Sequence, residues 1–310
     1  MFGFFEPTFH PDTDIPDLAG KVFLVTGGNA GLGKETVLRL AKHNPRNIFL
    51  AARDKMKADE AIRDIKKDAP NATITHLSLD LASLKSVRAA AETVISTTDR
   101  LDELINNAGV MAVPAAVTQE GYEIQFGTNH IGHFLLTKLL LPLLQRTAAL
   151  PDSDVRIVNL SSGGHMHPPW SGILFDGSLE GTMEAYNTFV RYGQSKLANI
   201  LHVRELAKRY PTIKAIAVHP GGVNTNLSVT FQKNHPWVGI PGAYLQSFVL
   251  KTAEQGALTQ LWAATSPDAV SGKYYVPVAR ENSGSAYSRN PEMAAKLWDW
   301  TEEQLAKHGY

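Results

Sequence analysis

The sequence predicts one α/β domain built on a doubly wound, parallel, seven-stranded sheet in a three-layer sandwich. Short apolar runs typical of buried strands alternate with longer segments of helical periodicity from Lys21 almost to the end of the chain. Such alternation is typical of βαβ units, which place parallel strands in one sheet with helices on both faces. The 310 residues, 44% of them hydrophobic, suffice for one large core, and no linker or repeat divides them.

The elements follow in a regular order along the chain. The first apolar run leads directly into a glycine-rich turn and then a helix, and the later runs repeat the alternation. Pro142 interrupts the longest helix, and Pro211 stops the helix that contains Tyr192. The predicted strands are 22–26, 47–52, 72–79, 101–106, 155–160, 213–218 and 273–278. The predicted helices are 32–43, 55–67, 84–96, 121–145, 192–209, 253–265 and 291–307.

Residues 1–16 differ from the rest of the chain. They contain three prolines among scattered aromatic residues, which predicts an extended arm packed on the surface ahead of one domain at 17–310. The first residues are apolar, but they lack a positively charged start and are soon broken by Glu6 and Pro7. They therefore do not predict a secretory signal.

Charge and composition exclude several classes of protein. Thirty basic and thirty acidic residues cancel, and no cluster of Lys or Arg indicates binding to nucleic acid or to an anionic membrane. No stretch approaches the ~20 apolar residues of a membrane-spanning helix. The absence of cysteine excludes disulfides and thiolate metal sites. We therefore expect a soluble, cytoplasmic protein without a transmembrane anchor, whose partners are small molecules.

Tyr192 and Lys196 are the residues that most strongly suggest chemistry. They stand four positions apart in a helical pattern, so the phenol and the ammonium share one helix face. A free phenol has a pKa near ~10, and a lysine charge beside it is expected to lower that pKa and make the phenol a usable acid or base. Tyr186 is an alternative phenol, but Val190 stands four residues after it and supplies no charge.

Five motifs in a fixed order support this interpretation. They are the glycine turn 27–33, Asn106-Asn107-Ala108-Gly109, Ser161-Ser162, Tyr192 with Lys196, and Pro220-Gly221. Over roughly 17–278 the chain resembles the short-chain dehydrogenase/reductase family, and 129–137 and 195–199 most resemble its retinol-dehydrogenase-like and WW-domain-oxidoreductase-like branch. The resemblance implies a Rossmann-like fold with strand order 3-2-1-4-5-6-7. It also implies hydride transfer between a nicotinamide cofactor and a carbonyl or alcohol.

A cofactor site is predicted after the first strand. Gly27, Gly31 and Gly33 lie between a strand and a helix, where backbone N–H groups and the helix N-terminus can bind a pyrophosphate. The resemblance places Asp80 at the adenine, although an aspartate there could instead cap the next helix. The expected cofactor-binding residues are Gly27, Asn29, Gly31, Leu32, Gly33, Arg53, Asp80, Asn107, Ala108, Gly109, Tyr192, Lys196, Val223 and Thr225.

Arg53 favours NADP(H) as the cofactor. It follows the second strand, twenty residues after Gly33, where an NAD enzyme typically places a carboxylate for the ribose 2′-hydroxyl. Ala52 occupies the expected acidic position, and an arginine offers a fork of donors to a 2′-phosphate. The neighbouring Asp54 keeps NAD(H) open as an alternative.

The resemblance implies a catalytic set of Asn129, Ser162, Tyr192 and Lys196. Tyr192 would be the acid or base, and Ser162 would donate a hydrogen bond to the substrate oxygen. Lys196 would lower the phenol pKa and bind the ribose, while Asn129 would bend its helix and hold a water that joins Lys196 to solvent. Ser162 is preferred to Ser161 because neighbouring side chains of a strand face opposite sides.

No metal site is predicted. His130 and His133 stand three positions apart without a third ligand, and His165 and His167 lie in a loop. We expect the first pair to pack or to lie on a polar surface, and the second pair to serve the loop structure.

Two segments, near 163–191 and 226–250, are expected to cover the substrate. Both follow strands whose carboxyl ends should face the nicotinamide, and both are rich in large apolar side chains. About half or more of these side chains should simply pack against the core or a partner subunit. The remainder suit a bulky hydrophobic carbonyl or alcohol, such as a retinoid, a lipid aldehyde or a polyketide ketone. A homodimer or homotetramer is compatible with the sequence.

Two other functions stay open at this point. The first is a cofactor-dependent binding or scaffold protein with negligible turnover, against which the intact catalytic set argues. The second is an NAD-linked alcohol dehydrogenase of the same fold, for which Arg53 is the discriminating residue. Likeness of fold alone does not decide between them.

Overall fold

A central sheet carries helices on both faces in the computed structural model, which describes residues 9–223 and 251–310. The strands are β1 (Val22–Thr26), β2 (Asn47–Ala52), β3 (Ile74–Ser78), β4 (Glu103–Asn106), β5 (Arg156–Leu160), β6 (Lys214–Val218), β7 (Tyr274–Val276) and β8 (Arg280–Asn282). They lie in the order β3-β2-β1-β4-β5-β6-β7-β8, and β1 to β7 pair in parallel. The predicted doubly wound parallel sheet and its strand order are confirmed.

The prediction of seven strands was one strand short. β8 turns back after β7 and pairs with it antiparallel, with Tyr274 opposite Asn282 and Val276 opposite Arg280. All three residues of β8 are polar and exposed. An edge strand that buries no side chain has no apolar alternation by which a sequence pattern could reveal it.

The helices are α1 (Pro11–Asp14), α2 (Gly31–Ala41), α3 (Lys55–Asp68), α4 (Leu84–Thr97), α5 (Ile124–Phe126), α6 (Gly132–Ala148), α7 (Thr188–Arg209), α8 (Ala253–Thr265) and α9 (Pro291–Lys307). A π-helical turn, Gly127–Ile131, joins α5 to α6. The long helix predicted from residue 121 therefore begins later and changes its hydrogen-bond pattern near its start. Pro142 lies inside α6 without ending it.

Each face of the sheet has its own apolar core. Val22 and Leu24 pack on one side with α4, α6 and α7, whereas Phe23 and Val25 pack on the other with α2 and α8. Residues adjacent along β1 thus enter different cores, because strand side chains alternate between faces. Burial on both faces explains why the strands are continuous apolar runs.

The described part of the N-terminal arm is not simply extended. Pro11–Asp14 form a short helix, and Phe9 and Ile15 on either side of it are buried in the core that contains α2 and α8. Asp12 also pairs with Arg39 of α2, with Nη1 and Oδ1 3.2 Å apart. Local burial of two apolar side chains attaches this part of the arm to the domain.

The carboxyl ends of β1 and β4 lie side by side, yet the chain leaves them in opposite directions across the sheet. This reversal opens a crevice between the segments that follow the two strands. The crevice is the place where the predicted cofactor residues should meet.

Candidate active site

A cleft of about 610 Å³ lies at the carboxyl ends of β1 to β4. It brings together most of the residues predicted to bind a cofactor, although they come from four separate stretches of the chain. Those that line it are Gly27, Asn29, Gly31, Leu32, Gly33, Arg53, Asp80, Asn107, Ala108 and Gly109. The cleft therefore has the position and the lining residues expected of a dinucleotide site.

The glycine turn is closely packed and requires glycine at three positions. Gly27 and Gly31 have φ angles of +67° and +52°, which side chains rarely tolerate. A Cβ on Gly33 would lie 2.2 Å from the Gly27 carbonyl oxygen, so only glycine allows the start of α2 to approach β1 so closely. The N–H groups of the first turn of α2, an eleven-residue helix, consequently border the cleft.

Asn107 and Ala108 fasten the end of β4 to the end of β1. The Asn107 side-chain amide donates to the Thr26 carbonyl oxygen at 2.7 Å, and the Ala108 N–H donates to the Thr26 hydroxyl at 2.9 Å. Gln260 of α8 also donates to Asn107 at 3.3 Å. These contacts fix the floor of the cleft between the two strands.

The outer end of the cleft carries the basic residues Arg53 and Lys57. Both are exposed and line the cleft, and no ion pair to Arg53 occurs within residues 9–223 and 251–310. Asp54 is the residue that left NAD(H) as an alternative cofactor in the sequence analysis. It caps α3 by accepting from the Lys57 N–H at 3.1 Å. A carboxylate committed to a helix cap is less suited to a ribose hydroxyl.

Asp80 borders the same end but does not cap the next helix. Its carboxylate accepts from the Ala82 N–H at 3.0 Å in a local turn, and Ser83 is the residue that caps α4. The alternative structural role considered for Asp80 is therefore taken by Ser83. Its predicted contact with the adenine stays a prediction.

Asn129 lies inside the π-helical turn and is fully buried. Its amide nitrogen donates to the Val110 carbonyl at 3.0 Å and to the Ser195 hydroxyl at 2.9 Å, and its oxygen accepts from the Val110 N–H at 2.8 Å. A π-turn shifts the backbone hydrogen bonds of a helix, and here the His133 ring reaches the Asn129 carbonyl oxygen at 3.0 Å. The irregular turn is thus held in place on both sides of Asn129.

Lys196 is buried in α7, and its ammonium donates to the Leu160 carbonyl at 3.1 Å. Burial lowers the pKa of this ammonium to about 8. A Cβ on Gly109 would lie 3.4 Å from Lys196 Nζ and 3.0 Å from Asn129 Oδ1. Both polar groups therefore lie directly beside Gly109, which lines the cleft.

Tyr192 is 7% exposed, and its ring lies near the Ser162 hydroxyl, since a Cβ on Gly164 would be 3.0 Å from the ring and 3.5 Å from Ser162 Oγ. Lys196 Nζ lies 5.7 Å from the centre of the Tyr192 ring. The expected lowering of the phenol pKa is not found. Burial raises the pKa of Tyr192 to about 12, and only the contact with Ser162 acts in the opposite direction. The phenol is consequently protonated at neutral pH, which is the form that can donate a proton.

Ser162 and Ser161 take different directions, as the strand alternation predicts. The Ser161 hydroxyl is turned away from the phenol and donates to the Lys196 carbonyl oxygen at 2.8 Å. The Ser162 hydroxyl accepts from the Gly164 N–H at 3.1 Å. That donor occupies one lone pair, so the hydroxyl proton of Ser162 is free for a partner on the Tyr192 side.

Close packing around Gly193 and Gly164 holds this geometry. A Cβ on Gly193 would be 2.5 Å from the His167 carbonyl oxygen, and one on Gly164 would be 3.0 Å from the Tyr192 ring. The turn after β5 can therefore rest directly on the start of α7. Tyr186, the competing phenol, is 37% exposed.

Some contacts of the site gave no signal in the sequence. Asn129 bonds Ser195, 66 positions away in the chain, and the Ala108 N–H bonds Thr26, 82 positions away. Asn107 bonds Gln260, 153 positions away. Serine, threonine and glutamine are common anywhere in a chain, so only the fold reveals their partners. Lys57 could have been noticed, because it lies one helical turn after Arg53.

His130 and His133 are packing histidines, and neither lies on the surface. They are fully and almost fully buried, and burial lowers their pKa to about 3 and about 4. His130 Nε2 lies 3.1 Å from Thr301 Oγ1, and His133 Nε2 lies 2.9 Å from Thr26 Oγ1. No group of three or more potential metal ligands occurs among the residues that the structure describes.

Of the two predicted substrate-covering segments, only 163–191 can be described. Part of it packs into the core, including Ile173, Leu179 and Met183, as expected for many of its apolar residues. Trp170, Met166 and Phe189 are exposed instead. Thr225 and the segment 226–250 lie outside the described residues. Val223, at the edge of the described part, pairs with Lys251 in an isolated bridge.

Within the described ranges, no helix has the length and apolar character needed to cross a bilayer.

The features on which the site depends are a doubly wound sheet, a glycine turn at the switch point and a buried Tyr-x-x-x-Lys pair beside it. Together they define a class of nucleotide-dependent oxidoreductases.

Comparison with known proteins supports this assignment to the nucleotide-dependent oxidoreductases. The model of the short chain dehydrogenase family matches residues 21–236. A short-chain dehydrogenase/reductase of Aspergillus calidoustus, drtF, is 40% identical over 94% of this chain and 96% of its own length, and mouse retinol dehydrogenase 12 is 39% identical over 93% and 87%. A crystal structure of a protein from Mycobacterium paratuberculosis superposes with a TM-score of 0.74, at 31% identity over 96% of this chain and 97% of that one.

The chain therefore belongs to the short-chain dehydrogenase/reductase family, as the sequence motifs indicated. It is an oxidoreductase of that family, whose members bind a nicotinamide cofactor. Retinol dehydrogenases are among its relatives.

Proposed function

We propose that the protein is an NADP(H)-dependent carbonyl reductase for bulky apolar ketones or aldehydes, with Tyr192 as the proton donor. The observation that carries the proposal is the juxtaposition of the buried Tyr192 phenol and the Ser162 hydroxyl, since a Cβ on Gly164 would lie 3.0 Å from the Tyr192 ring and 3.5 Å from Ser162 Oγ. A protonated phenol next to a second hydroxyl is suited to meet a carbonyl oxygen. The reverse reaction would need a phenolate, which burial disfavours.

When bound, NADPH supplies the hydride for the carbonyl carbon. Tyr192 then gives its proton to the carbonyl oxygen as negative charge develops there. Ser162 donates a hydrogen bond to the same oxygen and so stabilises that charge. The Gly164 N–H supports this role, because it holds the Ser162 hydroxyl with the proton on the correct side.

Lys196 and Asn129 would restore the proton to Tyr192. Lys196 Nζ and Asn129 Oδ1 both lie beside Gly109, which lines the cleft, so one water bonded to both groups would join the lysine to solvent. An ammonium with a pKa of about 8 exchanges protons readily near neutral pH. The Lys196 side chain would also bind the nicotinamide ribose, as the family resemblance implies.

Arg53 supports NADP(H) rather than NAD(H). It is exposed at the outer end of the cleft, while Asp54 is engaged in capping α3. Lys57 adds a second positive charge at the same end. Two cations, with the Asp54 carboxylate occupied by its helix cap, favour a 2′-phosphate over a 2′-hydroxyl.

An apolar substrate is favoured by the exposed side chains of segment 163–191, which follows Ser162 and leads into the helix of Tyr192. Met166, Trp170 and Phe189 of segment 163–191 are exposed, and large apolar groups on a loop near a reaction centre commonly serve binding. An intact set of Asn129, Ser162, Tyr192 and Lys196 argues against a scaffold protein without turnover.

The test is a turnover screen with NADPH and NADH. We would assay aldehydes from butanal to dodecanal and the matching methyl ketones, with pyruvate and glyoxylate as small charged comparators. We expect kcat/KM to rise with apolar chain length and to be higher with NADPH. A preference for pyruvate or glyoxylate, or equal dissociation constants for the two cofactors, would contradict the proposal.

A further inference from the structure

His165 is a buried imidazole that the proposed reaction does not use. It lies in the short 3-10 turn Gly163–Met166, directly after Ser162, and is 3% exposed. The edge of its ring meets Tyr274, with the ring centres 5.1 Å apart. A polar ring in such a position needs hydrogen-bond partners, and both of its nitrogens have one.

The two partners decide the protonation of the ring. Nδ1 lies 2.6 Å from the Ser162 carbonyl oxygen, which can only accept. Nε2 lies 3.2 Å from the backbone nitrogen of Ser285, whose N–H can only donate. His165 is therefore neutral, with its proton on Nδ1, and bridges two backbone groups 123 residues apart in the chain (285 − 162).

The Ser285 side of this bridge is firmly built. Ser285 Oγ accepts from the Ser288 N–H at 3.1 Å, and the Ser288 hydroxyl donates to the Ser285 carbonyl at 2.8 Å. Arg289 donates to the Gly284 carbonyl at 2.8 Å. A Cβ on Gly284 would lie 2.4 Å from Ser288 Oγ, so the loop is close-packed as well as hydrogen-bonded.

A second contact joins the same two parts of the chain. The Tyr287 hydroxyl donates to the Trp170 carbonyl oxygen. The loop after β8 thus holds segment 163–191 near its start, at His165, and again near Trp170. The first of these attachments is made to the carbonyl oxygen of Ser162, the residue whose hydroxyl lies near Tyr192.

We propose that His165 is a positioning residue, which fixes Ser162 for the reaction by tying its carbonyl to the Ser285 loop. The role rests on the proposed function, because it gives Ser162 its importance. The bridge needs both bonds. A ring bonded only to the Ser162 carbonyl would not be attached to the Ser285 loop, and a ring bonded only to the Ser285 N–H would leave the Ser162 carbonyl without its donor. Removing either bond should therefore release Ser162.

Two substitutions separate the bonds. In His165→Asn the amide nitrogen can replace Nδ1 as donor to Ser162, but nothing reaches Ser285. In His165→Gln the amide oxygen can replace Nε2 as acceptor for Ser285, but the donor to Ser162 is lost. His10→Gln, at an exposed histidine in the N-terminal arm, is the matched control.

We would measure kcat for decanal and 2-decanone with NADPH, together with the Kd of NADPH and the thermal midpoint. Both His165 variants should lose kcat by about tenfold to a hundredfold, since a displacement of about 1 Å at a reacting group can cost on the order of a hundredfold. The Kd of NADPH should change less than about twofold, because His165 does not line the cofactor cleft. Retention of kcat by either variant would overturn the positioning role.

A measurement independent of turnover tests the bridge itself. Long-range ¹H–¹⁵N correlation spectra of histidine-labelled protein, with the His165 signals assigned by their loss in His165→Asn, report which ring nitrogen carries the proton. We expect a neutral ring protonated at Nδ1; protonation at Nε2, or on both nitrogens at pH 7, would refute the bridge. If the unmodified protein reduces neither probe nor any compound of the screen, the positioning role fails with the proposed function, and the spectra still decide the bridge.

Discussion

The inner and outer ends of the cleft are built in opposite ways. At the inner end Asn129, Tyr192 and Lys196 are buried, and Asn129 and Lys196 are held by hydrogen bonds to other elements. At the outer end Arg53 and Lys57 are exposed and are positioned only by the strand end and helix on which they stand. Buried groups act through exact placement and protonation, whereas exposed charges act through a screened field. Substitutions should therefore act steeply at the inner end and gradually at the outer end.

The largest effect should come from Tyr192→Phe. The ring stays and the proton donor is lost, and general acid catalysis commonly contributes about 10²–10⁴-fold. We expect kcat for decanal to fall by about that factor, with the Kd of NADPH nearly unchanged. Lys196→Ala, in contrast, should lower kcat and also raise the Kd of NADPH, because the lysine lies beside the cleft.

Tyr186→Phe is the comparison for this substitution. Its phenol is partly exposed, and Val190 stands where a lysine would be needed. If Tyr192→Phe kept substantial turnover and Tyr186→Phe lost it, Tyr186 and not Tyr192 would be the proton donor. The contrast between the two ends would then no longer hold.

The second prediction concerns the pH dependence of stability, which the buried ring of His130, the residue after Asn129, imposes. His130 Nε2 bonds the Thr301 hydroxyl, and its Nδ1 is buried without a protein partner within the described residues. Protonation would bury a charge, so its pKa falls from 6.5 to about 3 on folding. Below pH 6.5 the unfolded chain binds a proton that the folded chain does not, and stability decreases as pH falls.

The His130→Gln variant isolates this contribution. Between pH 6 and pH 4.5 the free energy of unfolding of the unmodified protein should fall more steeply than that of the variant, by up to about 1.4 kcal/mol per pH unit. Buried Glu103, whose pKa is raised, acts in the opposite sense but is shared by both proteins. Urea unfolding at several pH values measures the difference, and equal slopes would show that His130 is not buried as a neutral ring.

The inner end also shows where sequence patterns stop being informative. The glycine turn and the spacing of Tyr192 and Lys196 are local features, because each follows from residues within a few positions, whereas the order of the strands followed from the family resemblance. The partners of Asn129 and Asn107 depend on contacts across 66 and 153 positions, which no local pattern contains. The direction of the Tyr192 pKa was expected wrongly for a related reason: the spacing indicates a nearby lysine, but burial by the whole fold has the larger effect.

At the outer end, Arg53→Ala should weaken NADPH binding more than NADH binding. Hydrogen bonds to charged groups contribute about 1.5–3 kcal/mol, and exposure of Arg53 to solvent reduces that value. We expect the Kd of NADPH to rise about tenfold, which corresponds to about 1.4 kcal/mol, with little change for NADH. Asp54→Asn is the control, since asparagine also caps a helix; a similar loss of preference in that variant would point to the structure of the turn instead of the charge of Arg53.

The smallest effect should come from Lys57→Ala. Lys57 lines the outer end one helical turn after Arg53, but its side chain is exposed and its ammonium lies 3.8 Å from an Asp54 carboxylate oxygen. An exposed charge interaction contributes about 0.2–1 kcal/mol, so the Kd of NADPH should rise by only about twofold to fivefold. Lys55→Ala removes an equally exposed charge that pairs with Asp59 and does not line the cleft, and it should leave the Kd unchanged. Titration of both variants at low and at high salt separates the two cases, because only the Lys57 effect should shrink as ionic strength rises. A loss as large as that of Arg53→Ala would mean that Lys57 bonds the phosphate directly, and the outer end would then depend on exact placement as the inner end does.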